Sequence, residues 1–212
     1  MIINSHGEEL ILDKERAIYF PKHQLLAISD LHLGKSAHFR QAGLPVPATI
    51  AQSDLQRLSS IIKKYNPITL LINGDMFHHG LNNDIDEFYI WKKDYQELNF
   101  LLVKGNHDRL SSADYGAMNI QIHEPSFCLG PFCFIHDAPK CTEEELYPIS
   151  GHIHPGITLF GKAKQRLKFP CFYFGEEYAV MPAFSLFTGL YPISAKAKER
   201  VFAVTPEQVI AV

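Results

Sequence analysis

The chain has 212 residues, 46% of them hydrophobic and 20% charged, which argues against a disordered or membrane-spanning class and suits one globular domain over residues 1–212. A formal net charge of -3 excludes a protein that coats nucleic acid through bulk positive charge, so any nucleic-acid contact has to be local. The N-terminal MIINSHGEEL has no basic segment leading into an apolar stretch, and no apolar run approaches the roughly 18 residues of a membrane span; the expectation is a cytoplasmic protein with no membrane partner.

Taken in chain order, short runs rich in branched and aromatic residues predict strands at Leu10–Leu12, Ala17–Phe20 and Leu25–Ile28. A helix is predicted over Thr49–Tyr65, where Ala51, Leu55, Leu58, Ile62 and Tyr65 share a stripe and Pro47 and Thr49 mark the start. A strand at Ile68–Ile72 follows, then a second helix over Asp84–Leu98, whose repeating Ile85, Phe88 or Tyr89, Tyr95 and Leu98 read as a core stripe. Strands at Phe100–Val103, Ile120–Ile122 and Phe132–Ile135 come next, and the chain beyond Phe127 reads mainly as strands and turns. Alternating strands and helices in the first half imply crossover units, and the whole implies a mixed α/β or α+β sandwich. Lys162, Lys164, Arg166 and Lys168 alternate and so share one face of an extended segment, either a solvated edge or a rim for a phosphate backbone. Cys128, Cys133, Cys141 and Cys171 form no CxxC pair and read as reduced thiols.

Five apolar runs stop at a polar cluster. LLAIS leads to Asp30 and His32, TLLING to Asp75, and FLLVKG to Asn106, His107 and Asp108; FCFI leads to His136 and Asp137, and YPISG to His152 and His154. Ligand sites in α/β sheets gather beyond the carboxyl ends of strands, so these five ends are expected to share one crevice. Residues at i and i+2 of extended chain point the same way, which lets Asp30 and His32 serve one ion and His152 and His154 be divided between two. Gly74, Gly105 and Gly151 each precede a candidate ligand and permit tight turns there. Imidazole with carboxylate and amide oxygen suits Mn, Fe, Zn or Ni better than Ca or Mg, and the lack of thiolate favours a catalytic over a structural site. Of 11 histidines, His32, His78, His79, His107, His136, His152 and His154 lie in or beside these motifs; His6, His23, His38 and His123 read as surface or satisfied core residues.

The order Asp-x-His, Gly-Asp, Gly-Asn-His-Asp, His, Gly-His-x-His, from Asp30 to His154, resembles the calcineurin-like metallophosphoesterase superfamily. That resemblance implies a four-layered α/β/β/α sandwich with two mixed sheets, and two divalent ions, Mn first among them. It places Asp30, His32 and His154 on one ion, Asn106, His136 and His152 on the other, and Asp75 between them. His107 becomes the catalytic residue that is not a ligand, oriented by Asp108. The segment SDLHLGKSAHFRQAGLPVP, with GDMFHHG downstream, is similar to the bacterial branch associated with an ATP-dependent DNA ligase and a helicase. Gly-Asp-x-Phe-His, Gly74 to His78, is similar to the motif of the superfamily's repair nucleases, which makes His78 a third catalytic candidate and DNA phosphodiesters the expected substrate. Asp137 stands where the family often has Gly after the metal-site histidine. The competing expectations are a phosphomonoesterase or a nucleotide or lipid-linked pyrophosphatase with the same site, and a metal-free binding scaffold.

Overall fold

The computed structural model describes every residue except 36–42, 44–48, 79–82, 139–144, 162–164 and 195, and within its helices it leaves out the side chains of 49–51, 83 and 84. His38, Pro47, His79, Cys141, Lys162 and Lys164 lie outside the described residues.

Among the described residues, seven strands form the first sheet in sequence order: β1 (Ile2–Ser5), β2 (Glu8–Asp13), β3 (Ala17–Phe20), β4 (Leu25–Ser29), β5 (Thr69–Asn73), β6 (Asn99–Val103) and β7 (Ile120–His123). The first four pair antiparallel, and β4 to β7 are parallel. Parallel neighbours need a crossover, and helices α1 (Thr49–Tyr65), α2 (Asn83–Lys92) and α3 (Ser112–Ala117) supply them. A capping box starts α3: Ser111 Oγ accepts the Asp114 N–H while the Asp114 carboxylate accepts the Ser111 N–H. The α2 segment is shorter than its apolar pattern. After Lys92 the backbone bonds become i to i−3 (Lys93 to Ile90, Asp94 to Trp91, Tyr95 to Lys92), so Tyr95 still meets the core although the α-helix has ended.

The second sheet comprises β8 (Ser126–Leu129), β9 (Phe132–Ile135), β10 (Tyr147–Ser150), β11 (Pro155–Phe160), β12 (Arg166–Phe174), β13 (Ala179–Val180), β14 (Tyr191–Pro192), β15 (Arg200–Val204) and β16 (Val209–Ala211). It too is mixed: β9, β10 and β13 run parallel, whereas β11, β12 and β15 pair antiparallel. The result is the α/β sandwich of two mixed sheets flanked by helices. Described helices α1 and α2 pack against the first sheet.

Alternation along the central strands divides the core in two. Leu26, Ile28, Leu70, Ile72, Phe100 and Leu102 pack with Leu55, Leu58 and Ile61 of α1 and Phe88 of α2. Their neighbours Leu25, Ala27, Leu71, Leu101 and Val103 face Phe132, Phe134 and Phe172 between the sheets. Burial on both faces is why these strands read as unbroken apolar runs. Phe20 meets Phe132 and Phe134 edge-on, each with centroids 5.5 Å away, and fixes the separation of the sheets. Both layers therefore send their strand ends to the same side, where the polar clusters lie.

Candidate metal centre

The five clusters come together. Asp30 and His32 leave the end of β4, and His154 follows β10; their ligand atoms lie within 4.8 Å of one another. His32 Nε2 is 3.2 Å from His154 Nε2, and His154 Nε2 is 3.4 Å from Asp30 Oδ1. A second group joins Asp75 after β5 with His136 after β9 and His152 after β10. His136 Nε2 lies 3.1 Å from His152 Nδ1 and 3.0 Å from the amide oxygen of Asn106, which brings the residue after β6 into this group. Asp75 Oδ2 is 3.5 Å from His136 Nε2 and 3.9 Å from His32 Nε2, so one carboxylate oxygen faces both groups.

The i and i+2 pairs share a site for a different reason from strand alternation. Asp30, His32, Asp75, His152 and His154 all have left-handed backbones, with φ of 53°, 49°, 47°, 68° and 51°. Such conformations are costly for side chains other than glycine and persist only where surrounding bonds over-determine them. Here those bonds are visible. His32 N–H donates to Asp75 O at 2.8 Å, Leu33 N–H to Met76 O at 3.0 Å, and His78 N–H to Leu33 O at 2.7 Å, lacing the loops after β4 and β5 together. His152 N–H donates to Asp30 Oδ2 at 3.1 Å, joining the second sheet to the first. The glycines serve mainly by leaving room. Gly74 has φ 84° and its face lies against the His136 ring, while a Cβ on Gly151 would overlap Ser29 Oγ and the Asp30 carboxylate.

The donor chemistry fits divalent ions of the borderline class. Burial pushes the Asp30 carboxyl up, but His154, the charge of His136 and the Ser29 hydroxyl outweigh it and hold it below the ordinary range, as an anion. Burial depresses the His32 ring to about 3, leaving it neutral with a nitrogen lone pair to offer. Two carboxylates, four neutral-capable imidazoles and one amide oxygen, with no thiol, make two adjacent N/O sets of the kind found in catalytic rather than structural sites. Lys35 stands nearby: burial lowers its ammonium, and the charges of Asp30 and Asp75 oppose that shift.

His107 flanks this centre. Its backbone N–H donates to Asp75 Oδ1 at 2.9 Å, and its ring stacks on His78 with centroids 4.7 Å apart at 30°. The expected orientation of the His107 ring by Asp108 is not what the structure shows. Asp108 is buried and accepts the Phe77 N–H at 3.0 Å, the Gly105 N–H at 2.9 Å and the Tyr115 hydroxyl at 3.3 Å, so its carboxylate binds the two loops to each other. Burial raises this carboxyl to about 6, opposed by those backbone donors. Asp137 lines a cleft of about 320 Å³ with Lys104, Asn106, His136 and His152. Among the described residues, Arg166 and Lys168 are exposed on a stretch of β12 that pairs with β11. Of the remaining histidines, His6 stacks on Tyr147, His23 meets Glu8 at 2.8 Å, and His123 packs edge-on against Phe127.

Two further supports carry little signal in the local sequence. Asn73, fully buried at the end of β5, donates from Nδ2 to Ile149 O at 2.9 Å and Ile135 O at 3.3 Å, tying the first sheet to β9 and β10 directly beneath the clusters. A polar residue closing an otherwise apolar run was the available signal. The other is the segment around Phe184, whose N–H donates to Ser29 O at 2.7 Å; Arg16 and Arg57 hold its carbonyls, and Arg57 lies 4.4 Å over the Phe184 ring. Nothing in its local sequence announced that contact.

An α/β sandwich whose parallel strands end in two adjoining carboxylate and imidazole sets defines a metal-dependent phosphoester hydrolase. Residues 23–186 match the family model for calcineurin-like phosphoesterases, and the chain belongs to that family. The crystal structure of Pseudomonas putida nuclease MPE is similar with a TM-score of 0.85 and 26% identity, covering 100% of this chain and 99% of that one. Yfce, a phosphoesterase from E. coli, shares 13% identity at a TM-score of 0.46, over 89% of this chain and 97% of that one. AQ665 from Aquifex aeolicus, a protein of unknown function, shares 20% identity at a TM-score of 0.44, over 61% and 78%. No curated protein matches the sequence. No helix among the described residues is long and apolar enough to cross a membrane.

Proposed function

We propose that this phosphoester hydrolase is a two-metal phosphodiesterase acting on nucleic acid, with Mn as the working ion, in DNA repair beside an ATP-dependent ligase and a helicase. The observation that carries the reading is the position of Asp75 Oδ2, 3.5 Å from His136 Nε2 and 3.9 Å from His32 Nε2, between two complete donor sets. In this assignment Asp30, His32 and His154 hold one ion, Asn106, His136 and His152 the other, and Asp75 both. Two such ions, when bound, supply charge to neutralise a phosphate and a water of lowered pKa.

The chain's own side chains do the remainder. His107, fixed through its backbone to Asp75, gives a proton to the departing ester oxygen. His78 packs on the His107 ring and limits its rotation toward the centre. Asp108 keeps the loop of His107 against the loop of Asp75 and so acts through position. The Pseudomonas putida nuclease, alike over the whole chain, supports nucleic acid over a phosphomonoester as substrate. The test is hydrolysis of bis-(p-nitrophenyl) phosphate and nicking of plasmid DNA by Mn-loaded protein. Turnover of both is expected; turnover of neither overturns the reading.

A further inference from the structure

A cavity of about 240 Å³ that the chemistry above does not use opens beside the centre. Its wall begins at Ile153, the residue between His152 and His154, which belong one to each donor group, and continues through Tyr173, Tyr178, Tyr191 and Lys196. Tyr191 is fastened to the centre: its N–H donates to His154 O at 2.9 Å, and β14 pairs it with Pro155, the residue after that histidine. Ile153 and Tyr191 are nevertheless 39% and 61% exposed, an aromatic and an aliphatic surface left open to solvent next to a polar site. The Tyr173 and Tyr178 rings lie 5.8 Å apart, tilted by 46°. The Tyr173 hydroxyl is held by Glu199 at 2.8 Å, and that carboxylate also accepts the Lys196 N–H, so the ring is braced from behind.

We propose that this cavity is a stacking subsite for the nucleobase next to the phosphate being cleaved, in a single-stranded segment of the substrate; the inference rests on the phosphodiesterase reading above. Aromatic rings around a pocket attached to a phosphate-handling centre provide what an unpaired base needs, a face to stack on. A base paired within a duplex keeps its faces covered by its neighbours, so the pocket selects flexible or unpaired strand. Lys196 lines the same cavity, its charge offset by the Glu199 carboxylate, so the pocket relies on its rings and not on net charge.

The experiment separates binding from turnover. Fluorescence anisotropy with EDTA present measures affinity for a labelled dodecathymidylate and for a twelve-unit abasic strand of equal charge. Tyr191→Ala and Tyr178→Ala should each weaken dodecathymidylate binding at least about 5-fold, the lower bound for losing one base stack, with Tyr191→Trp restoring it and the abasic strand insensitive to all three. Both alanine variants with Mn should keep the wild-type rate on methyl p-nitrophenyl phosphate, which carries no base. Unchanged dodecathymidylate affinity in both alanine variants, or equal losses on the abasic strand, overturns the subsite. Expected binding losses without any diester cleavage by the wild-type protein overturn the phosphodiesterase reading, and with it the place of this pocket beside a scissile phosphate, and leave only a base-stacking surface.

Discussion

Asp108 accepts the backbone N–H of Phe77 at 3.0 Å, and with the Gly105 N–H at its other oxygen it fastens the loop that carries His107 to the loop that carries Asp75. The order of the donor groups is thus maintained by a carboxylate that faces backbone. Replacing Asp108 with Ala removes the acceptor of the buried Phe77 N–H and of the part-buried Gly105 N–H, and a buried group left unsatisfied costs about 1–3 kcal/mol. Urea denaturation should show Asp108→Ala clearly destabilised, with His107→Ala near wild type. Equal stability of Asp108→Ala and wild type, with turnover still lost, would instead assign Asp108 a direct chemical part.

His107 and Asp75 separate chemistry from metal holding. His107→Ala should keep metal content near normal, because its ring is in neither donor group, and lower phosphodiester turnover by roughly 10²-fold, the scale of losing a general acid. Asp75→Asn should lose both metal and turnover, since its oxygen faces both groups. Elemental analysis of dialysed protein alongside the rates decides between them; metal loss in His107→Ala would place that residue among the ligands.

Asp13 links β2 to the last turn of α1. Burial alone would raise its carboxyl, but Lys64 at 2.7 Å, Tyr65 at 2.6 Å and the Glu15 N–H at 2.8 Å outweigh it and hold the folded value below the ordinary one. A depressed folded value stabilises the fold fully above the unfolded value near about 4 and loses that contribution as pH falls through the folded value. Urea midpoints of wild type and Asp13→Asn should differ at pH 7 and converge below pH 4. A difference that stays constant across that range would show that the ionised carboxylate is not what the contact depends on.

Much of this was legible because the residues concerned are governed by short-range rules. Strands β4, β5 and β6 are buried on both faces, so Leu25–Ser29, Thr69–Asn73 and Asn99–Val103 read as apolar runs with polar stops, and those stops carry the donor groups. Helix α1 has the bounds its stripe predicts. What was hidden depends on tertiary contact. Asp and His tolerate the left-handed region, but nothing local singles out Asp30 and His32, which are bonded to Gly74 and Asp75 of the neighbouring loop, or His154, whose carbonyl accepts the Tyr191 N–H. The partners of Asp108 could not be inferred from its place beside His107, since a backbone donor leaves no mark in the sequence. Two-residue strands such as β13 and β14 exist only by pairing, and β14 is what brings Tyr191 to the centre.

In the proposed assignment one carboxylate, Asp75, joins two metal sites. Anomalous diffraction from crystals of the protein soaked in Mn tests it directly. Two peaks about 3.5–4 Å apart are predicted, one among Asp30, His32 and His154, the other among Asn106, His136 and His152, with Asp75 reaching both. A single peak, or a pair that Asp75 does not bridge, would contradict the account.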